Sequence, residues 1–198
     1  MNNTTVKILR ENDGGSQIIE EFEFLLKRYI NLKVNAFIEI GSLFGWTLQH
    51  FIHYSQDNST AISIDLPVSK FVGPNDWRVK KQESCYKNDW PKWAKDKNCK
   101  LYLLPVHSFY ESTLNSVKKI INDRQIDFLF IDGDHRYDAI LKDYNMYSPL
   151  VRKGGIIAFH DIAENEDGGP RFWREIKNNY KHEEIITSKD MGIGILHV

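Results

Sequence analysis

Cysteine is scarce: Cys85 and Cys99 are the only two in 198 residues. Two are too few for a disulfide framework, and their spacing matches no metal motif. No apolar run approaches the ~20 residues that cross a bilayer. The opening Met1-Asn2-Asn3-Thr4-Thr5 has neither the charged-then-apolar pattern of a secretory leader nor a glycine for myristoylation. An excess of either charge is missing as well, since 26 basic residues face 27 acidic ones. Proteins that grip nucleic acid by neutralising phosphates are basic, so no nucleic-acid partner is expected. Repeats and low-complexity tracts are also lacking. With 41% hydrophobic residues, a chain of this length can bury one full core. The expectation is a single cytoplasmic domain over residues 1–198, with no membrane partner.

What the chain does have is alternation. Ile18, Ile19, Phe22, Leu25, Leu26 and Tyr29 recur at helical spacing within residues 16–30. An apolar run of strand length, residues 34–40, ends at Gly41, and a helix over 45–54 follows. Strands are read at 61–65, 101–106, 126–131 and 155–159. Between them, Ser108-Phe109-Tyr110-Glu111 matches a capping box that opens a helix at Ser108, continued by Leu114, Val117 and Ile121. A further helix spans 137–151, with Arg152, Lys153 and Gly154-Gly155 as its stop signal. Pro170 marks the first turn of a last helix, and residues 184–187 and 192–198 close the chain as strands. This order predicts an α/β, Rossmann-like, doubly wound sheet, mostly parallel, of seven strands with a C-terminal antiparallel pair.

Two stretches break the pattern. Residues 67–100 are lysine-rich and carry Trp77, Trp90 and Trp93. They read either as a lid or acceptor surface, or as aromatic anchors pinning a long insertion to the core. Residues 163–169 form a polar loop.

Ligands of open α/β sheets bind at the carboxyl ends of the parallel strands. Here those ends carry Glu39 with Gly41, then Asp65, His107-Ser108, Asp132-Gly133-Asp134-His135 and His160-Asp161. Gly41 permits a tight turn and Gly45 a close approach of the following helix. Asp65 can accept two hydrogen bonds from a ribose diol, or can serve as a turn aspartate before Leu66-Pro67. Adjacent strands lie about 4.8 Å apart, so Asp132 and Asp161 can share one divalent cation. His160 can join them only if the strand has ended there, because consecutive strand residues face opposite ways. Asp134 is better read as a helix cap. His135 suits a general base, because imidazole titrates near neutrality.

Taken in order, Glu39-x-Gly41-Ser42-x-x-Gly45, Ile64-Asp65, Phe130-Ile131-Asp132-Gly133-Asp134-His135-x-Tyr137 and Gly154 to Asp161 resemble class I S-adenosylmethionine-dependent methyltransferases. Within that class the chain is most similar to O-methyltransferases related to catechol, macrolide-sugar and cephalosporin-pathway enzymes. Gly169-Pro170-Arg171-Phe172-Trp173 is also similar to a segment of such proteins. The resemblance implies that Glu39, Gly41, Ser42 and Gly45 surround the methionine part of S-adenosyl-L-methionine. It implies that Asp65 holds the ribose and that Ser108 lies near the adenine. Asp132 and Asp161 would bind a divalent cation, Mg2+ or Mn2+, with His160 as a third ligand. Asp132 would serve both cofactor and catalysis, and His135 would be the base. Relatives more often carry an acid at the position of His160, and a nitrogen ligand shifts preference away from Mg2+. The implied acceptor is the hydroxyl of a small molecule, a sugar or natural-product intermediate.

Two other readings stay open at this point. A non-catalytic protein could bind S-adenosylmethionine or another nucleoside in the same pocket. An NAD-dependent oxidoreductase would share the fold, but the chain lacks the Gly-x-Gly-x-x-Gly loop that cradles a pyrophosphate. Oligomeric state is open, with a homo-oligomer allowed.

Overall fold

The computed structural model describes residues 6–9, 17–163, 167–189 and 191–198. Strands β1 (Ala36–Ile40), β2 (Thr60–Ile64), β3 (Lys100–Leu104), β4 (Ile126–Ile131) and β5 (Val151–His160) pair in parallel. Strands β6 (Lys181–Ile185) and β7 (Ile193–His197) complete the sheet, with β7 antiparallel to both β5 and β6. The seven strands lie in the order β3-β2-β1-β4-β5-β7-β6. The helices are α1 (Ile19–Leu32), α2 (Trp46–Tyr54), α3 (Trp77–Ser84), α4 (Trp90–Asp96), α5 (Glu111–Ile121), α6 (Tyr137–Tyr147) and α7 (Gly169–Ile176). None of the described helices is long and apolar enough to cross a membrane.

Strand alternation sorts the core into two layers. On one face, Phe37, Phe128 and Phe130 meet Phe22, Leu25 and Tyr29 of α1 and Phe51 of α2. The Tyr29 and Phe128 rings stand edge to face with centroids 4.8 Å apart, and Tyr29 donates its hydroxyl to the Phe51 carbonyl at 2.9 Å. On the other face, Ile38, Ile40, Leu129, Ile131 and Ile157 pack under α5, α6 and α7. The central strands are buried on both sides, which is why they read as nearly unbroken apolar runs.

Strand order reverses between β1 and β4, and this sets where a ligand crevice opens. Gly41 follows β1 there with φ 89, and a Cβ on it would lie 2.0 Å from the Asp132 carbonyl oxygen. Only glycine lets the two strand ends close on each other.

Local signals misplace two boundaries. The capping box at Ser108 does not form: α5 starts at Glu111 behind Tyr110, and no side chain caps it. Ser108 is held instead by tertiary partners, with its carbonyl accepting the Tyr147 hydroxyl at 2.5 Å. The helix expected to run to Val151 stops at Tyr147 and tightens into a 3-10 turn over Ser148–Leu150, because Pro149 has no N–H to continue the helical hydrogen-bond ladder. Arg152 therefore lies in β5, where its Nε donates to Asp127 Oδ1 at 2.6 Å. Gly154, with φ 75, sits where the β4–β5 register slips, not at a helix end.

The 67–100 stretch folds as α3 and α4, joined by a π-helical turn over Cys85–Asp89. Trp90 is fully buried beneath Gly45 and Trp93 packs on the core, so these two are anchors. Trp77 is 61% exposed.

Candidate active site

A cleft of about 640 Å³ opens over the carboxyl ends of β1, β2, β3 and β4. Gly41, Ser42, Asp65, Ser108, Asp132 and Asp161 line it, together with His135 and His160. Glu39 and Gly45 do not reach its wall. Gly45 adopts φ 78, and a Cβ there would strike the Trp90 indole at 2.3 Å, so this glycine serves the insertion.

Glu39 lies fully buried beneath the loop after β1. It accepts the Ser42 hydroxyl at 2.7 Å and also the Thr47 hydroxyl. Burial pushes its pKa up to about 8 against these donors, and the Asp132 and Asp65 carboxylates add to the rise. Ser42 in turn meets the Ser63 hydroxyl at 2.7 Å. Asp65 follows β2, and its Oδ2 takes the Leu43 amide at 2.8 Å and the Gln82 amide at 3.3 Å. Burial raises its pKa to about 7, with these donors opposing.

At the ends of β4 and β5 a second network forms. β5 ends at His160, and Asp161 turns into left-handed backbone with φ 56. Strand alternation is broken there, so both side chains come to the same side, beside Asp132. His160 Nδ1 lies 3.3 Å from Asp132 Oδ1 and 3.0 Å from Asp161 Oδ1. Burial disfavours its charge, yet the two carboxylates outweigh burial and hold its pKa at about 10. His135 Nδ1 stands 3.1 Å from Asp161 Oδ2. The side chain of His135 is 54% exposed, whereas that of His160 is 2% exposed. Asp134 accepts the Arg136 backbone amide and guanidinium, both at 3.0 Å, which is a turn-stabilising role one step before the helix.

Among the described residues, Asp132, His135 and Asp161 each offer a ligand atom, all within 4.8 Å of one another. Divalent ions bind oxygen at about 2.0–2.6 Å, so the two carboxylates of this set fit one, with His135 beside them. The third converging donor is thus His135, while His160 Nδ1 is turned to the carboxylates and its Nε2 is buried without a partner.

Some residues of the site carry no signal in the sequence. Gln17 reaches from before α1 to donate to Asp132 Oδ2 at 2.8 Å, across 115 positions. Gln82 arrives from the insertion, and Thr47 from the second residue of α2. Each depends on tertiary proximity, and no local motif announces it.

This geometry coincides with a family match: residues 38–162 fit a methyltransferase domain. The chain belongs to the methyltransferase-domain family. It is 30% identical to a probable caffeoyl-CoA O-methyltransferase of Dictyostelium discoideum over 72% of this chain and 49% of that one. A shorter match, 56% over 39 residues, links it to an uncharacterized protein of Acanthamoeba polyphaga mimivirus, covering 20% of this chain and 18% of that protein. The chain thus spans at most about half the length of these curated relatives. The solved O-methyltransferase of tomaymycin synthesis from Streptomyces achromogenes, in complex with S-adenosylmethionine, superposes with a TM-score of 0.66. That match covers 92% of this chain and 82% of the other at 12% identity, a likeness of fold.

Proposed function

We propose that this methyltransferase-family protein moves a methyl group from S-adenosylmethionine to the hydroxyl oxygen of a small molecule, with help from a divalent cation. The carrying observation is the linked set Asp132, His160, Asp161 and His135 at one end of a cleft whose other end holds the half-buried Asp65. The methyltransferase named for caffeoyl-CoA and the one of tomaymycin synthesis support oxygen as the acceptor atom.

When bound, S-adenosylmethionine supplies a methyl group on a sulfonium, and the departing thioether is neutral, so no general acid is required. Asp65 orients the ribose, and Gly41 and Ser42 shape the wall for the methionine part. Asp132 and Asp161 would hold the divalent cation, which when bound lowers the pKa of the acceptor hydroxyl. His135 is the base: its Nδ1 is engaged by Asp161 Oδ2, which leaves Nε2 to take the hydroxyl proton. Holding the oxygen in line with the methyl group contributes much of the remaining acceleration. A base as exposed as His135 stands where an acceptor can reach it, and a buried His160 does not.

The test is labelled methyl transfer to a panel of hydroxylated acceptors, with calorimetry of cofactor binding in the presence and absence of Mg2+ and Mn2+. Asp132→Asn and His135→Ala are expected to lose turnover, and His135→Ala to keep its cofactor affinity. Transfer at the wild-type rate by both variants would overturn the mechanism. Tight NADH binding without S-adenosylmethionine binding would overturn the reading itself.

A further inference from the structure

The 67–100 insertion has no part in the chemistry above, yet the end of α3 and the start of α4 both meet the loop on the cofactor side of the cleft. Trp90 of α4 donates its indole N–H to the Phe44 carbonyl at 3.3 Å. Gln82 of α3 donates to the neighbouring Leu43 carbonyl at 3.4 Å. Leu43 and Phe44 both line the cleft, and Leu43 is held in left-handed backbone with φ 47. A non-glycine residue in that region is strained and persists only where its surroundings fix it.

Gln82 is 3% exposed, and its orientation follows from its partners. The Val68 backbone N–H points at one end of the amide at 2.7 Å, and an N–H can only donate. That end is therefore Oε1, and Nε2 must face the Asp65 carboxylate 3.3 Å away. Asp65 Oδ2 is then gripped by two donors, Gln82 Nε2 and the Leu43 amide. A carboxylate fixed at one oxygen cannot rotate, so it meets a diol in a single orientation.

We propose that the insertion braces the cofactor's ribose subsite and that Gln82 is the positioning residue that aims Asp65. This rests on the methyltransferase reading, in which Asp65 holds the ribose. The insertion is thereby assigned to cofactor binding, through two contacts to one loop and one to the carboxylate. Its lysine-rich outer face is not needed for that role.

Calorimetry with S-adenosylhomocysteine and its 2′-deoxy and 3′-deoxy analogues tests the proposal on the full chain. Losing a hydrogen bond to a charged group costs about tenfold or more in affinity. Gln82→Leu is expected to weaken S-adenosylhomocysteine by about tenfold while changing the deoxy analogues by less than about threefold. Gln82→Glu keeps the oxygen that accepts from Val68 but turns an oxygen toward Asp65, and is expected to lose at least as much. Lys92→Ala, on the exposed side of α4, is expected to bind like wild type. Equal losses for the parent ligand and both deoxy analogues would reduce Gln82 to a structural residue and overturn the proposal. Unchanged affinity in both Gln82 variants would overturn it as well, with the methyltransferase reading intact. If wild type binds no S-adenosylhomocysteine, that reading falls and takes the proposal with it.

Discussion

The two ends of the cleft are built on opposite principles. At the β1–β2 end, Glu39 and Asp65 are met by hydroxyls and amides of the chain itself, from Ser42, Thr47, Leu43 and Gln82. At the β4–β5 end, carboxylates face imidazoles: Asp132 and Asp161 share His160, and Asp161 also meets His135. Hydroxyl and amide donors do not themselves titrate near neutrality, so they hold a fixed shape around the two carboxyls. Imidazoles and carboxylates trade protons, and their arrangement depends on what is bound. One end is thus suited to recognition and the other to moving a proton.

That contrast can be broken by experiment. Changes at the β4–β5 end should strike turnover. His135→Ala is expected to lower kcat by about 10²–10⁴ with cofactor affinity kept. Ser42→Ala, on the other side, should raise the KM for S-adenosylmethionine more than it lowers kcat. Steady-state kinetics at saturating cofactor separates the two, and equal kcat losses would erase the distinction.

The recognition end also leans on the insertion. Trp90→Ala should cost about 3–5 kcal/mol of stability, because a fully buried indole leaves a cavity beneath Gly45. Denaturant melts measure it, and a loss under about 1 kcal/mol would mean the insertion is only loosely docked.

The pH dependence has a definite sign. Glu39 titrates at about 8 when folded, up from 4.5, so the folded state binds its proton more tightly than the unfolded chain. Its stabilising contribution is complete below 4.5 and is lost as pH rises through about 8. Asp65, raised to about 7, tilts the same way. The cofactor-free protein should therefore melt at lower temperature as pH rises from about 5 to 8, and Glu39→Gln should flatten part of that slope. An unchanged slope in Glu39→Gln would show that the buried carboxyl is not its source.

The smallest effect belongs to Trp77. Exposed at the start of α3, with its ring 5.9 Å from Phe44, it should change stability by no more than about 0.5 kcal/mol as Trp77→Ala. A larger loss would place it with Trp90 among the anchors.

Much of this could be read in the residues. Asp65, Asp132 and Asp161 stand at strand ends, and strand ends are legible because apolar runs stop there. Ser108 was legible as a cleft residue from its place after β3, but not as a non-cap. Tyr147, 39 positions away, donates its hydroxyl to the Ser108 carbonyl. Gln17 and Gln82 were silent, since an isolated glutamine has no periodicity and no partner until the chain has folded.

The sequence by itself determined the strand–helix alternation, the seven-strand doubly wound sheet and the gathering of acids and histidines at its carboxyl edge. Those features follow from local apolar pattern, which each segment carries alone. Only the tertiary structure decided that His135 joins Asp132 and Asp161 while His160 lies between the carboxylates. The reason is backbone conformation: Asp161 enters left-handed space just past β5, and that turn sets the direction of the neighbouring side chains. Composition and spacing hold no record of a single φ angle.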